Sequence, residues 1–190
     1  PRARMNVIDI DERRLWIPCG GAPIAAELSV PDAACGLVLF VGHRGRPLPQ
    51  ERFVATWMNA ARPPIATCLL DLRMGPRDAG DLGLREELAW TARRIVSAAE
   101  WLLRAERTRG LPPAYFGAGT GAAAALVAAA ERPELARAVV SLSGRPDLAE
   151  VALASVVAPT LLLVGQRDEA VEEANRVART RLAGERRLDV

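Results

Sequence analysis

Gly117, Gly119 and Gly121 stand at alternate positions in the string PAYFGAGTGAAAALVAAAE, residues 113–131, with Thr120 between the last two. A short apolar run precedes them and an alanine-rich stretch closed by Arg132-Pro133 follows, which predicts a strand, a sharp turn and a buried helix. Such a turn aims backbone N–H groups and a helix N-terminus outward, an arrangement suited to anions. Few side chains elsewhere could carry a reaction. His43 is the sole histidine, in Gly42-His43-Arg44-Gly45, and Asp168 lies just past the apolar run TLLLVG. All 25 basic residues are arginine, which excludes Schiff-base and Walker-lysine chemistry. One histidine and three cysteines without C-x-x-C spacing (Cys19, Cys35, Cys68) give a transition metal too few ligands. No metal or cofactor is expected, and the thiols read as reduced and structural.

The elements that must position these groups follow in order. Residues 15–30 read as an antiparallel hairpin turning at Gly20-Gly21. Residues 36–42, GLVLFVG, form an unbroken apolar run, as in a strand buried on both faces. A loop carrying His43 to Arg46 comes next, then a helix over 50–61. A strand over 65–71 leads into a charged, glycine-rich loop over 73–83. A long helix over 84–107 has Leu84, Leu88, Ile95, Ala99 and Leu102 on one stripe. Trp90 and Trp101, eleven residues apart on it, share an angle and are expected to pack in or beside the core. After the glycine turn come a strand over 138–142, a turn over 143–147, a helix over 148–155, a strand over 160–165, a helix over 169–182 and a strand starting at Arg187. Alternating strands and helices predict a mostly parallel sheet with helices on both faces and the hairpin at one edge. Ligands then belong outside the carboxyl ends of the strands, at residues 43–46, 71–77, 119–120, 143–147 and 168.

Half of the 190 residues are hydrophobic and the net charge is +2, which fits one domain spanning 1–190 with a sizeable core. Charges of both signs are mixed along the chain and aromatics are few, so nucleic acid is not an expected partner. No apolar run reaches membrane-spanning length and nothing resembles a signal peptide, which predicts a cytoplasmic protein. Pro1 in place of an initiating methionine points to a clipped sequence.

The glycine turn resembles the nucleophile elbow G-x-S-x-G of the α/β hydrolases, with Gly119 where the serine belongs. Within that superfamily, YFGAGTGAAAALVAAAERPEL, AVVSLSGRPDLA and APTLLLVGQRDEAV resemble dienelactone-hydrolase-type proteins over nearly the whole of residues 15–190. The resemblance implies an α/β-hydrolase fold and an ester-type hydrolase with nucleophile, acid and histidine in that order. Carried over, Asp168 takes the acid's position and Gly119 the nucleophile's, without a reactive group. The N–H of Thr120 and one from the loop holding His43, Arg44 and Gly45 would form the oxyanion site. The family's histidine, with a last strand and helix, would lie beyond Val190. His43 itself, in the oxyanion loop, is expected to approach from the wrong side, and the Thr120 hydroxyl to point along its helix.

Three readings are open. A catalytically degenerate hydrolase-fold protein, a pseudoenzyme, would bind a small anion through the turn and Arg44 or Arg46, or would bind a protein. An ester or lactone hydrolase would be present in truncated or Ser→Gly altered form. A dinucleotide-binding enzyme would use Gly117-Ala118-Gly119-Thr120-Gly121-Ala122 as G-x-G-x-x-A. Relatives of the resembled family are sometimes joined to a phosphoribosyltransferase domain, which makes such a domain a conceivable partner.

Overall fold

A computed structural model describes residues 10–73, 83–165 and 168–190. Its framework is one eight-stranded sheet: β1 (Ile10–Ile17), β2 (Ile24–Pro31), β3 (Leu37–Val41), β4 (Ala66–Asp71), β5 (Pro113–Ala118), β6 (Val139–Leu142), β7 (Thr160–Leu163) and β8 (Arg186–Asp189). The order across the sheet is β1-β2-β4-β3-β5-β6-β7-β8. β1 and β2 form the expected hairpin, β2 runs antiparallel to β4, and every pairing beyond β4 is parallel.

Period-two alternation splits the apolar strands between two cores. Leu37, Leu39, Val41, Cys68, Leu70 and Tyr115 face the larger one, whereas Val38, Phe40, Leu69 and Phe116 face the smaller. The larger core is covered by α2 (Leu84–Arg104), α3 (Thr120–Glu131) and α4 (Glu169–Arg181), and the smaller by α1 (Pro49–Ala60). Among the described residues helices therefore lie on both faces, three against one. In α2 the buried stripe is Leu88, Ala92, Ile95, Ala99 and Leu102. Leu84, placed on that stripe by its spacing, is 53% exposed at the first helical residue.

Trp101 is half-buried against the larger core. Trp90 is half-buried under the Arg94 guanidinium, 4.6 Å from its ring centre. Arg94 also donates to the Ala22 and Pro23 carbonyls at 2.7 and 3.3 Å, which fastens the hairpin to α2. The helix expected over 148–155 is instead two short 3-10 turns, Pro146–Ala149 and Leu153–Ser155. Pro146 starts the first, and Val156, Val157 and Pro159 close the segment, so little is left for an α-helix to propagate through. α2 ends at Arg104, three residues before its expected end. Cys68 is fully buried and its thiol is pushed up to about 12 by desolvation. Among the described residues no helix is long and apolar enough to cross a membrane.

α3 and β3 meet at close quarters. A β-carbon at Gly121 would lie 2.5 Å from the Gly42 oxygen and 2.9 Å from the Val41 carbonyl carbon. Those are backbone atoms at the end of a central strand and just past it, and cannot swing aside. Gly121→Ala should therefore lower unfolding free energy by about 1–3 kcal/mol. Urea denaturation measures this; an unchanged midpoint and slope would mean that α3 can lift from β3 at no cost.

Candidate active site

Gly119 has φ +55° and ψ −123°, a conformation that strains any residue with a β-carbon. Its value to the fold is geometric: β5 ends, the chain reverses within one residue, and α3 starts at Thr120 at the carboxyl end of the sheet. Hydrogen bonds hold the reversal on both sides. Gly119 N donates to the Leu142 carbonyl at 3.2 Å, and the Gly119 carbonyl accepts from Arg145 N at 3.1 Å. Ser143, in the left-handed region at φ 43°, donates its N–H to the Leu163 carbonyl at 2.7 Å and so ties the neighbouring turn to β7.

His43 to Gly45 form a 3-10 turn after β3, with Arg44 left-handed at φ 53° and ψ 37°. Two hydrogen bonds connect this turn to the start of α3. Arg44 N donates to Thr120 Oγ1 at 3.1 Å, and Thr120 N donates to His43 Nδ1 at 3.5 Å. The Thr120 hydroxyl thus faces the loop, where the sequence reading had it pointing along its own helix. His43 stands exposed in the loop where it was expected, and its ring reaches the elbow. A β-carbon at position 119 would fall 3.2 Å from His43 Cγ and closer still to Nδ1, so the exposed imidazole lies in the space a side chain at 119 would need. It covers one of the N–H groups that loop and helix would offer.

Glu51 holds the loop from below. It is 1% exposed, and its Oε2 accepts the Leu48 N–H. Burial raises its carboxyl above the ordinary range, against the lowering effects of that hydrogen bond and of Arg52. Sequence reasoning missed this residue, although an acidic residue early in a helix whose N-terminus follows a site loop was there to be noticed. The Gly45 carbonyl accepts the Leu72 N–H at 2.7 Å, and a 300 Å³ cavity opens beside it, lined by Arg44, Gly45, Leu72, Arg73, Thr120 and Gly121 among others.

Asp168 caps α4: its Oδ1 accepts Val171 N at 3.1 Å, and the side chain is exposed. Among the described residues no hydrogen bond or ion pair joins it to His43. Asp71 is forked by Arg73 (Nε–Oδ1 2.8 Å), which holds its carboxyl below the usual range. Asp147 is forked by Arg145 with the same effect. Residues 74–77 of the expected site loop lie outside the described residues. The Gly117-to-Ala122 string follows the fifth strand of the sheet rather than its first.

No protein-family model matches the chain. Its fold superimposes on a crystal structure of dienelactone hydrolase from Anabaena variabilis with a TM-score of 0.85 and 40% identity, over 94% of this chain and 84% of that one. The chain belongs to the α/β hydrolases, as a dienelactone-hydrolase-like member. A cold-adapted esterase from an Arctic intertidal metagenomic library shares the fold of this hydrolase-like chain at TM-score 0.76 and 17% identity, covering 95% of this chain and 84% of that one. Curated relatives from two Mycobacterium tuberculosis strains are 40% identical over 181 residues and bear a provisional phosphoribosyl transferase name. The match takes in 94% of this chain but only 40% of theirs, so the chain spans about two fifths of their length.

Two measurements check the site geometry. Gly119→Ala should destabilise by about 1–3 kcal/mol from backbone strain alone, with steric pressure on His43 added. In a double-mutant cycle with His43→Ala the two costs should be less than additive, because removing the ring removes the steric part. Strict additivity would mean that the ring leaves freely. For Glu51, the folded pKa is raised, so its stabilisation is complete below the ordinary 4.5 and is lost as pH rises through the folded value. Glu51→Gln should therefore gain on the wild type as pH rises above the ordinary 4.5; a pH-independent difference in urea midpoints would refute an ionising, desolvated Glu51.

Proposed function

We propose that this chain is a catalytically degenerate member of its family, a hydrolase scaffold without hydrolysis, whose nucleophile elbow at Gly119 serves as a binding site for a small anion. The observation that carries the reading is the joint placement of Gly119 and His43. No nucleophile stands at the elbow, and an imidazole occupies the space beside the Thr120 N–H. Asp168, at the acid's position in the family pattern, is engaged as a helix cap and orients no histidine among the described residues. Thr120 N–H, the turn of His43 to Gly45 and the Arg44 guanidinium supply donors and positive charge for a carboxylate or phosphate. The anion would replace the His43 ring against the Thr120 N–H. The partner we propose is a phosphoribosyl transferase unit, on the strength of the name the curated relatives bear.

A second reading, an ester hydrolase altered at one position, is favoured by the backbone at 119, which holds the strained strand-to-helix turn of a nucleophile elbow although no nucleophile stands there. One experiment separates the two. With p-nitrophenyl acetate, wild type and Gly119→Ser should both show no burst of p-nitrophenolate, because an unactivated serine is a weak nucleophile. A stoichiometric burst in Gly119→Ser would favour the second reading. Calorimetry with inorganic phosphate and with acetate should show saturable binding that tightens in His43→Ala, since the competing ring is gone. Absence of heat with either anion in both proteins would remove the ligand-binding reading.

A further inference from the structure

We propose a second ligand site, independent of the elbow, that takes a planar ring carrying a phosphate monoester. It lies in a cleft of about 530 Å³ between the hairpin and the start of α1. The sheet register builds its floor. Trp16 pairs with Ala25 and Ala25 with Asp71, so the three side chains stand in one row on one face, at the carboxyl end of β4. In the next row Arg14 pairs with Glu27, and Glu27 with Leu69. The opposite face of β1 and β2 is core, with Ile17, Ile24 and Ala26 buried. Trp16 is thus committed to the outer face, where its cross-strand neighbour offers a single methyl group. It remains 69% exposed, an unfavourable position for the largest apolar side chain.

Four arginines, Arg14, Arg46, Arg52 and Arg73, line the cleft against two carboxylates, Glu27 and Asp71. Two of the guanidiniums are already satisfied. Arg52 forks onto Glu27, with Nη2 3.1 Å from Oε1, and Arg73 forks onto Asp71. The other two are not. Arg14 reaches Glu27 only at 3.9 Å with its side chain 89% exposed, and Arg46 makes no ion pair among the described residues. Two guanidiniums without a forked carboxylate partner among the described residues, beside an open indole, match a dianion attached to a flat ring: the ring stacks on Trp16, and a phosphate near charge −2 meets Arg14 and Arg46. A carboxylate would neutralise only one of them.

The probe is adenosine 5′-monophosphate, titrated at low ionic strength with tryptophan fluorescence and calorimetry as readouts. Saturable binding is expected, with adenosine alone and inorganic phosphate alone each at least about tenfold weaker, because each makes half of the contacts. Trp16→Ala and Arg46→Ala should each weaken the nucleotide by about tenfold, as losing a stacking or charge-assisted contact does. Trp16→Phe should recover part of the loss, and circular dichroism verifies that each variant is folded. His43→Ala should leave this affinity unchanged while altering phosphate binding at the elbow, so the two sites fail or stand separately. Absence of saturable binding, or an affinity indifferent to both Trp16→Ala and Arg46→Ala, would overturn the proposal.

Discussion

The site depends on one reversal of chain direction at Gly119. A single residue at φ +55° and ψ −123° turns the end of β5 into the start of α3. Because Gly121 lets α3 press against the backbone leaving β3, the loop after β3 is brought to the first turn of that helix. Arg44 N, Thr120 Oγ1, Thr120 N and His43 Nδ1 then close a small hydrogen-bonded ring between segments 76 and 77 residues apart in sequence. Position 119 and His43 consequently compete for one volume. The structure holds a side chain from the loop in that volume because the turn supplies none.

Competition of this kind explains why the framework was legible in the sequence while the site was legible only in part. Continuous apolar runs such as residues 37–41 and the three-and-four spacing of α2 report burial directly, since burial is what those patterns encode. The sharp turn at residues 117–121 was legible for the same reason: three alternate glycines have few other uses between a strand and a small-residue helix. The orientation of His43 was not, because it follows from how closely α3 approaches β3, a distance fixed by packing between segments remote in sequence. The segment over 148–155 failed differently. Its composition permits a helix, but Pro146 and the β-branched residues before Pro159 leave room only for single turns. Asp168 did carry a readable signal, an aspartate before a helical run, and the cap at Val171 N is the outcome that signal describes. Reading it only as a family acid hid its local role.

The absence of lysine gives the surface an unusual regularity. Arg13 with Asp11, Arg73 with Asp71, Arg145 with Asp147, Arg187 with Asp189 and Arg132 with Glu134 are all pairs two residues apart. On the extended segments that hold the Arg13, Arg73 and Arg187 pairs that spacing puts both side chains on one face, so a guanidinium can fork onto its neighbour without help from the rest of the fold. Each such pair is half-exposed and contributes little to stability. Their effect is to cancel charge locally and to lower the affected carboxylates, Asp71 and Asp147 among them.

Local cancellation makes the exceptions informative. In those five pairs the arginine is used within its own segment, and its charge does not reach a ligand. Arg44 and Arg46 are separated by Gly45 and flanked by glycine, histidine and proline, with no acid in reach of that pattern. They stand where β3 delivers the chain to the carboxyl end of the sheet, one on each side of the turn whose carbonyl holds Leu72 N. Arg44 lines the cavity beside Thr120 and Arg46 the cleft beside Trp16. Positive charge is therefore left unbalanced at the end of a parallel sheet where crossover loops open the surface to ligands. The five forked pairs are structural, and the same reasoning gives their arginines no claim on a ligand.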